Sequence, residues 1–264
     1  MRLLVALLML AAFGSAPVAL AASSPDAIAY EYRSINARYE IQRDSSVRVE
    51  ERITISYEGT YHSLWRGISL GRAAVSNVEV MDADTGERLR EIKNFPDLPN
   101  DKEHWGSYAW INDNGYFKVQ WYYDAADTTK TWVLRYTLRG AVGFLEERDE
   151  FVWSLFSRYA VPVASSTVEV VLPGAVPVEG KLVGTPGSVM QTGDRTLRFE
   201  AEGIQPGGGV SFEAHWPKGV VHPPVRGFYL TNLVLSYGIA PLMAVLLLVC
   251  AATGALVFKF KKRP

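Results

Sequence analysis

The chain has 264 residues and a nearly balanced charge, with 27 Lys and Arg against 28 Asp and Glu and a formal net charge of −1. This balance excludes a nucleic-acid-binding protein that depends on a strongly basic surface. The one cysteine, Cys250, excludes a disulfide within the chain, so the fold must be held by a hydrophobic core.

The first 21 residues have the pattern of a secretory signal peptide. Arg2 provides a positive charge, residues 3–10 are apolar, and Ala19 and Ala21 form a small-x-small cleavage site. We expect cleavage after Ala21, and the alternative is an uncleaved N-terminal membrane helix. Both alternatives export the segment that follows.

Alternation of apolar and polar residues predicts β-strands along the exported segment. The clearest case is residues 47–57, where every odd position except Glu51 is apolar, as a strand with one buried face requires. Asp44 and Ser45 predict the turn before it. The predicted strands are 35–41, 47–57, 75–81, 116–123, 131–138, 167–172, 196–199 and 210–216.

Turn residues separate these strands, at 84–86, 112–115 and 206–209. No exported stretch shows the spacing of an amphipathic helix. Many short strands with Gly, Pro, Asn and Asp turns are typical of a sandwich or a barrel. We predict an all-β fold, a two-sheet β-sandwich over residues 22–219.

Glu51 interrupts the apolar face of its strand. If it points inward it needs a partner, because an isolated buried carboxylate is costly, and Arg66 and Arg72 are the candidates. It would then be an acidic group lining a cleft. The alternative, which we favour from the sequence, is a strand edge or bulge that turns Glu51 to water.

Residues 59–71 follow this strand and read as a loop with His62, Trp65 and Arg66. An exposed His and Arg could bind a carboxylate, sulfate or phosphate. The structural alternative is that Arg66 pairs with an acidic residue and fixes the loop, with Trp65 packed beneath it.

Aromatic residues are dense from 105 to 123, where they occupy eight of nineteen positions. Exposed rings in a row could stack on sugar faces. However, Phe117, Val119, Trp121 and Tyr123 share one strand face and are most simply core residues. The exposed candidates are Trp105, Tyr108 and Trp110.

Signals for a metal, a cofactor or a familiar catalytic mechanism are weak. The acidic stretches 82–87 and 146–150 lack a full calcium-loop spacing, and the first reads as a hairpin turn. No H-E-x-x-H, G-x-S-x-G or S-x-x-K motif occurs. The sequence therefore predicts no metal and no cofactor, and it assigns no catalytic residue.

The C-terminal region predicts a membrane-spanning helix. No charged residue occurs from 227 to 258, a run longer than the ~20 residues that span a bilayer. Positive charges follow it and mark a cytoplasmic end; they are Lys259, Lys261, Lys262 and Arg263. We expect a linker at 220–229, a membrane helix at 230–258 and a basic tail at 259–264.

The exported segment is more acidic than the whole chain. Five cations lie outside it, whereas all 28 acidic residues lie inside, so 22 cations face 28 anions and the net charge is −6. Such a surface disfavours nucleic acid and anionic headgroups as partners.

Several segments resemble the DUF2207 family of predicted membrane proteins. They follow one another in the family's order: a V-x-E strand, a loop with His and Arg, a Tyr-containing strand, and three further segments. The matching pieces are 47–50, 61–68, 134–140, 149–153, 168–173 and 210–217. The resemblance covers most of residues 30–217 and implies a membrane-associated domain without assigning an activity.

Two positions depart from the family pattern, which usually has Gly where this chain has Ser63 and Pro where it has Ser69. Family members generally continue beyond the first membrane helix. One interpretation is that a second polypeptide supplies the continuing part.

Taken together, these features predict a membrane-anchored, extracytoplasmic binding module at the inner or plasma membrane. Its partner would be a membrane or envelope protein or an envelope polymer. The alternatives are an envelope polysaccharide hydrolase, which needs two facing carboxylates, and a purely structural scaffold.

Overall fold

The computed structural model describes residues 30–97 and 101–224, which form an all-β structure. A single turn of 3-10 helix, Lys102–His104, accompanies the strands in these ranges. The strands are β1 Tyr30–Ile41, β2 Val47–Tyr57, β3 Thr60–Ser69, β4 Ala74–Asp82, β5 Arg90–Glu91, β6 Ser107–Asp113, β7 Tyr116–Ala126, β8 Thr129–Arg139, β9 Val142–Phe144, β10 Arg148–Phe156, β11 Val163–Val171, β12 Glu179–Val183, β13 Ser188–Gln191, β14 Thr196–Ile204 and β15 Val210–Pro217.

Three sheets are formed by these strands. The large sheet has the order β13-β14-β11-β1-β2-β8-β4. The β3 sheet has the order β3-β7-β6-β5, and the β10 sheet has the order β12-β15-β10-β9. Most neighbours are antiparallel, but β1 pairs in parallel with β11 and β5 with β6.

One hydrophobic core joins the three sheets. Tyr39 of the large sheet contacts Phe151 of the β10 sheet, with ring centroids 5.2 Å apart. Tyr136 of the large sheet contacts Phe117 of the β3 sheet at 5.7 Å. The two small sheets therefore both pack on the large one, an arrangement that fits a two-layer sandwich.

The predicted strands are confirmed in position, and several are longer than predicted. The 47–57 strand is β2 with the same bounds, because its alternation is regular over its whole length. Ser45 has a φ of 64° and its N–H donates to the Gln42 carbonyl at 3.0 Å, so the predicted turn at Asp44 and Ser45 is also confirmed.

The prediction of a loop at residues 59–71 is wrong, because most of it is strand β3. An inward-pointing Arg66 and an irregular register between Tyr61 and Ser63 hide the alternation. Six other strands were not predicted from the sequence; they are β5, β6, β9, β10, β12 and β13.

The two ends of β1 define the two ends of the domain. Val221 is buried, and the N–H of His222 donates to the carbonyl of Arg43 at 2.8 Å, just beyond Ile41. The C-terminal end of the described chain therefore lies at one end of β1, and Tyr30 lies at the other, about 36 Å away at ~3.3 Å per residue. We call these the Arg43 end and the Tyr30 end.

Within residues 30–97 and 101–224, no helix is long and apolar enough to cross a membrane. The predicted signal peptide with Ala19 and Ala21 lies outside the described residues. So do the predicted membrane helix and the basic tail.

Candidate functional site

Strand β3 carries His62, Trp65 and Arg66, but their side chains lie in three different environments. Arg66 is 1% exposed and Trp65 is 56% exposed. His62 is partly buried, at the point where the register between β3 and β7 shifts. The three residues therefore do not form a single anion-binding loop.

Arg66 makes a buried ion pair with Glu51. Its Nε donates to Glu51 Oε2 at 2.8 Å and its Nη2 donates to Glu51 Oε1 at 3.3 Å. Glu51 is fully buried, so the favoured prediction that it turns to water is wrong, and the paired alternative holds. Trp65 does not pack beneath the pair, because successive side chains of a strand point to opposite faces.

The same guanidinium connects all three sheets. Glu51 belongs to the large sheet, Nη1 of Arg66 donates to the carbonyl of Gly67 in β3 at 2.6 Å, and Nη2 also donates to the carbonyl of Leu155 in β10. The Tyr136 hydroxyl donates to Glu51 Oε1 at 2.7 Å. Both carboxylate oxygens of Glu51 are therefore engaged by protein donors.

Burial and charge shift the pKa values of this group. Burial by itself would lower the pKa of Arg66, but the Glu51 carboxylate raises it well above its ordinary value. Burial raises the pKa of Tyr136 well above its ordinary value, and Glu51 raises it further. Arg66 therefore stays charged and Tyr136 stays protonated as a donor, which suits a structural connection better than proton transfer.

His62 contacts Trp105 and Asp124 instead of Arg66. The rings of His62 and Trp105 stack with centroids 5.2 Å apart, and His62 Nδ1 lies 3.2 Å from Asp124 Oδ1. Trp105 is accordingly only partly exposed.

The predicted aromatic platform is not formed. Tyr108 is buried and its hydroxyl donates to the carbonyl of Val78 at 2.7 Å. Trp110 is partly exposed, and its Nε1 donates to Glu91 Oε1 at 2.9 Å. The expected exposure of Tyr108 is therefore wrong, and Trp105, Tyr108 and Trp110 do not present a row of open rings.

The acidic stretches have structural partners. Asp82 accepts the N–H of Asp84 at 2.9 Å and lies 2.5 Å from Lys130 Nζ, as expected for a hairpin turn. The carboxylate of Asp149, in the second stretch, pairs with Lys218 at 2.7 Å. Across residues 30–97 and 101–224, no group of three or more His, Cys, Asp or Glu could hold a metal ion.

One cavity of the described chain is a cleft between β3 and the C-terminal half of β10, with a volume of about 460 Å³. This is within the ~300–1,000 Å³ range of small-ligand sites. Aromatic rings form much of its wall: Tyr30, Tyr32, Tyr57, Tyr61, Trp65, Tyr116, Phe156 and Tyr159. We call it the β3–β10 cleft.

Two strand edges face each other across this cleft. In the described chain, β3 pairs only with β7. Strand β10 pairs with β9 only through residues 149–151, so residues 152–156 have a strand neighbour on one side alone. The second layer of the domain is therefore split between its two small sheets.

Register identifies the backbone groups of β3 that point into the cleft. The N–H of Leu70 donates to the carbonyl of Gly115 at 2.7 Å and continues the pairing of Ile68 with Phe117. Alternate residues of an antiparallel strand bond to a given neighbour. The N–H and C=O groups that point away from β7 are therefore those of Ser63, Trp65, Gly67 and Ser69.

The cleft has an unusual charge for this acidic domain. Among the described residues no Asp or Glu lines it, whereas Arg158 does. Arg158 is exposed and has a φ of 55°, in the left-handed region that few non-glycine residues adopt. Among the described residues no ion pair or hydrogen bond to its guanidinium is formed. The guanidinium can therefore meet a ligand's anionic group.

Sequence reasoning missed the cleft because its walls come from distant segments. Arg66 and Leu155 are 89 positions apart, yet they are hydrogen-bonded. An available signal was the alternation of Leu64, Arg66 and Ile68, three residues that are buried on one face of β3. It would have indicated a strand with an inward arginine.

Comparison with known proteins identifies a family. Residues 31–216 match the family described as "Predicted membrane protein (DUF2207) N-terminal domain". Among curated proteins there is no match.

Two solved structures are similar to this chain at 11% identity, each over 70% of it. One is described as "a putative protease" from Parabacteroides distasonis ATCC 8503, with a TM-score of 0.40 and 40% of that chain covered. The other is described as "a putative nutrient binding protein" from Legionella pneumophila subsp. pneumophila str. Philadelphia 1, with a TM-score of 0.44 and 66% covered. The chain thus spans less than two thirds of either structure.

Proposed function

This chain belongs to the DUF2207 family of predicted membrane proteins, and from that membership we propose that it is a membrane-anchored binding module whose site is the β3–β10 cleft. In this proposal residues 1–21 direct export and residues 22–219 form the extracytoplasmic domain. Residues 220–229 link the domain to a membrane helix at 230–258, and the basic tail 259–264 stays in the cytoplasm.

The proposed orientation follows from the two ends of the domain. The chain leaves the domain at the Arg43 end, where His222 is hydrogen-bonded. Tyr30, Tyr57 and Tyr159 line the cleft toward the Tyr30 end. A membrane helix after the linker would therefore place this part of the cleft away from the bilayer, where it can reach a partner in the envelope.

The observation that carries the proposal is the cleft itself. It combines about 460 Å³ of space, aromatic walls, two unpaired strand edges and an exposed arginine. Aromatic walls with a few polar groups are typical of binding sites. The ion pair of Arg66 and Glu51 fixes the strands on either side, so the site is formed before a ligand arrives.

The same geometry disfavours the hydrolase alternative. Hydrolysis of a glycosidic bond ordinarily needs two carboxyl groups that flank the substrate. In the part of the chain that the structure describes, no Asp or Glu lines the cleft, and both oxygens of Glu51 are hydrogen-bonded to Arg66 or Tyr136. A purely structural scaffold would need the membrane helix but not the cleft.

Photocrosslinking in intact cells tests the proposal. A photoreactive benzoylphenylalanine would replace Trp65 or Ser157 in the full chain, both of which line the cleft. The matched control replaces Ile111, which is 48% exposed on β6 and does not line the cleft. We expect the same crosslinked product from both cleft positions and none from Ile111.

Absence of a product at both cleft positions would contradict the proposed site. So would an equal product at Ile111, because it would show capture without regard to the cleft. A purely structural scaffold predicts no crosslinked product at either cleft position.

A further inference from the structure

The free edge of β3 offers the kind of hydrogen bonding that a polypeptide backbone matches. Ser63 and Trp65 direct N–H and C=O groups into the part of the cleft toward the Tyr30 end, at the two-residue spacing of a strand. Farther along β3, the carbonyl of Gly67 is already used by Arg66 at 2.6 Å. A ligand backbone can therefore pair at Ser63 and Trp65 without breaking the Arg66 connection.

Arg158 gives this part of the cleft its charge preference. It lies on the opposite wall, next to Ser157 and Tyr159, and within residues 30–97 and 101–224 no carboxylate lines the cleft to neutralise it. A guanidinium recognises a carboxylate through two parallel hydrogen bonds. The ligand is therefore expected to carry Asp, Glu or a terminal carboxylate.

The tyrosine cluster supplies contact surface for a side chain. Tyr32 and Tyr159 have ring centroids 5.0 Å apart, and Tyr57 and Tyr61 have centroids 4.9 Å apart. Rings held by one another in this way bind a partner side chain with little loss of conformational freedom.

We propose that the β3–β10 cleft binds an extended, acidic segment of a partner polypeptide by strand addition to β3. The segment pairs with Ser63 and Trp65, packs an apolar or aromatic side chain on the tyrosines, and places a carboxylate on Arg158. This inference rests on the proposed function and specifies the chemistry of its ligand. Free backbone groups favour a polypeptide over a polysaccharide, which has no strand to add.

Peptide selection on the full chain in detergent tests this inference. A displayed library of random peptides would be selected, and the enriched peptides synthesised as acid, amide-neutralised and lysine versions. We expect enrichment of Asp or Glu at one position, and at least tenfold weaker binding of the lysine version by fluorescence anisotropy.

Two variants distinguish an effect of the charge in the cleft from an effect of the surface charge elsewhere. Arg158→Glu should reverse the order of the binding affinities, so that the lysine version binds better than the acid version. Arg52→Glu is the matched control, since Arg52 is exposed on β2 and does not line the cleft. It should leave the order unchanged.

Backbone N-methylation tests strand addition. Alternate amides of an added strand bond to β3 and the others do not, so methylation should reduce binding at every second position only. The inference would be overturned if N-methylation reduced binding equally at all positions, or if the library yielded no binding peptide. It would also be overturned if Arg158→Glu still bound the acid version better than the lysine version. If these occur while Trp65 and Ser157 still give a specific crosslink in cells, the proposed function survives and the ligand is of another class.

Discussion

At the scale of single residues, the ion pair of Glu51 and Arg66 explains how a split layer stays in place. A buried pair contributes little net stability compared with apolar residues of similar size. Removing one partner is costly, however, because the other charge remains buried without compensation. Here the same arginine also satisfies carbonyls in β3 and β10, so its loss would affect the cleft as well as the core.

We predict that Arg66→Met lowers the free energy of unfolding by about 3–5 kcal/mol, because it leaves the buried carboxyl group of Glu51 without its ion-pair partner. The measurement is urea unfolding of the full chain in detergent, followed by tryptophan fluorescence. The double variant Glu51→Leu with Arg66→Met should recover part of the loss, since it removes both charges.

The control for this prediction is Glu50→Gln, which breaks a partly exposed pair with Arg135 at 2.9 Å. An exposed pair is worth below about 1 kcal/mol. Equal destabilisation by Glu50→Gln and Arg66→Met would show that burial of the pair does not matter.

The sequence limited the choices for Glu51 without deciding between them. Its position on the apolar face indicated either a buried pair with Arg66 or Arg72, or a turn to water. The decision depended on a neighbouring strand that read as a loop. Once β3 is known to be a strand, Leu64, Arg66 and Ile68 share its buried face and Arg66 becomes the available partner.

At the scale of elements, a regular alternation of apolar and polar residues was sufficient to predict a strand, whereas an irregular alternation was not. Strand β2 has the predicted bounds, and its buried positions are the odd ones, Glu51 included. Strand β3 was not predicted, because a polar residue lies on its buried face and a bulge interrupts the alternation of apolar and polar residues. Neither the pairing of β1 with β11 nor the free edge of β10 has a local pattern, because each depends on residues far apart in the chain.

Strand β12 shows how closely the layers pack. A Cβ on Gly180 would clash with the backbone carbonyl of Glu213 on the neighbouring strand and with Leu197 in the facing sheet. We predict that Gly180→Ala destabilises the fold by about 1–3 kcal/mol, the usual cost of overpacking. Urea unfolding of the full chain measures it.

The matched control is Gly174→Ala, since a Cβ at Gly174 would meet no atom within 4 Å. Its effect should stay within about 0.5 kcal/mol of zero. If Gly180→Ala were equally neutral, β12 would not be packed as tightly as its contacts indicate.

At the scale of the whole molecule, the proposed function depends on which end of the domain faces the bilayer. The described chain ends beside Arg43, and Tyr30 marks the opposite end of β1. In the proposed topology the basic tail is cytoplasmic and the cleft is outside. In that topology, the net charge of −6 on the proposed exported segment also suits a domain that is tethered near anionic lipids without adhering to them.

Labelling with a membrane-impermeant maleimide tests this topology most directly. Single-cysteine variants would be made in a Cys250→Ser background, with Ser157→Cys in the cleft and Lys262→Cys in the basic tail. In intact spheroplasts we predict labelling of Ser157→Cys alone, and labelling of both after the membrane is permeabilised. Labelling of Lys262→Cys in intact spheroplasts, with Ser157→Cys protected until permeabilisation, would show the opposite topology and rule out the proposed one.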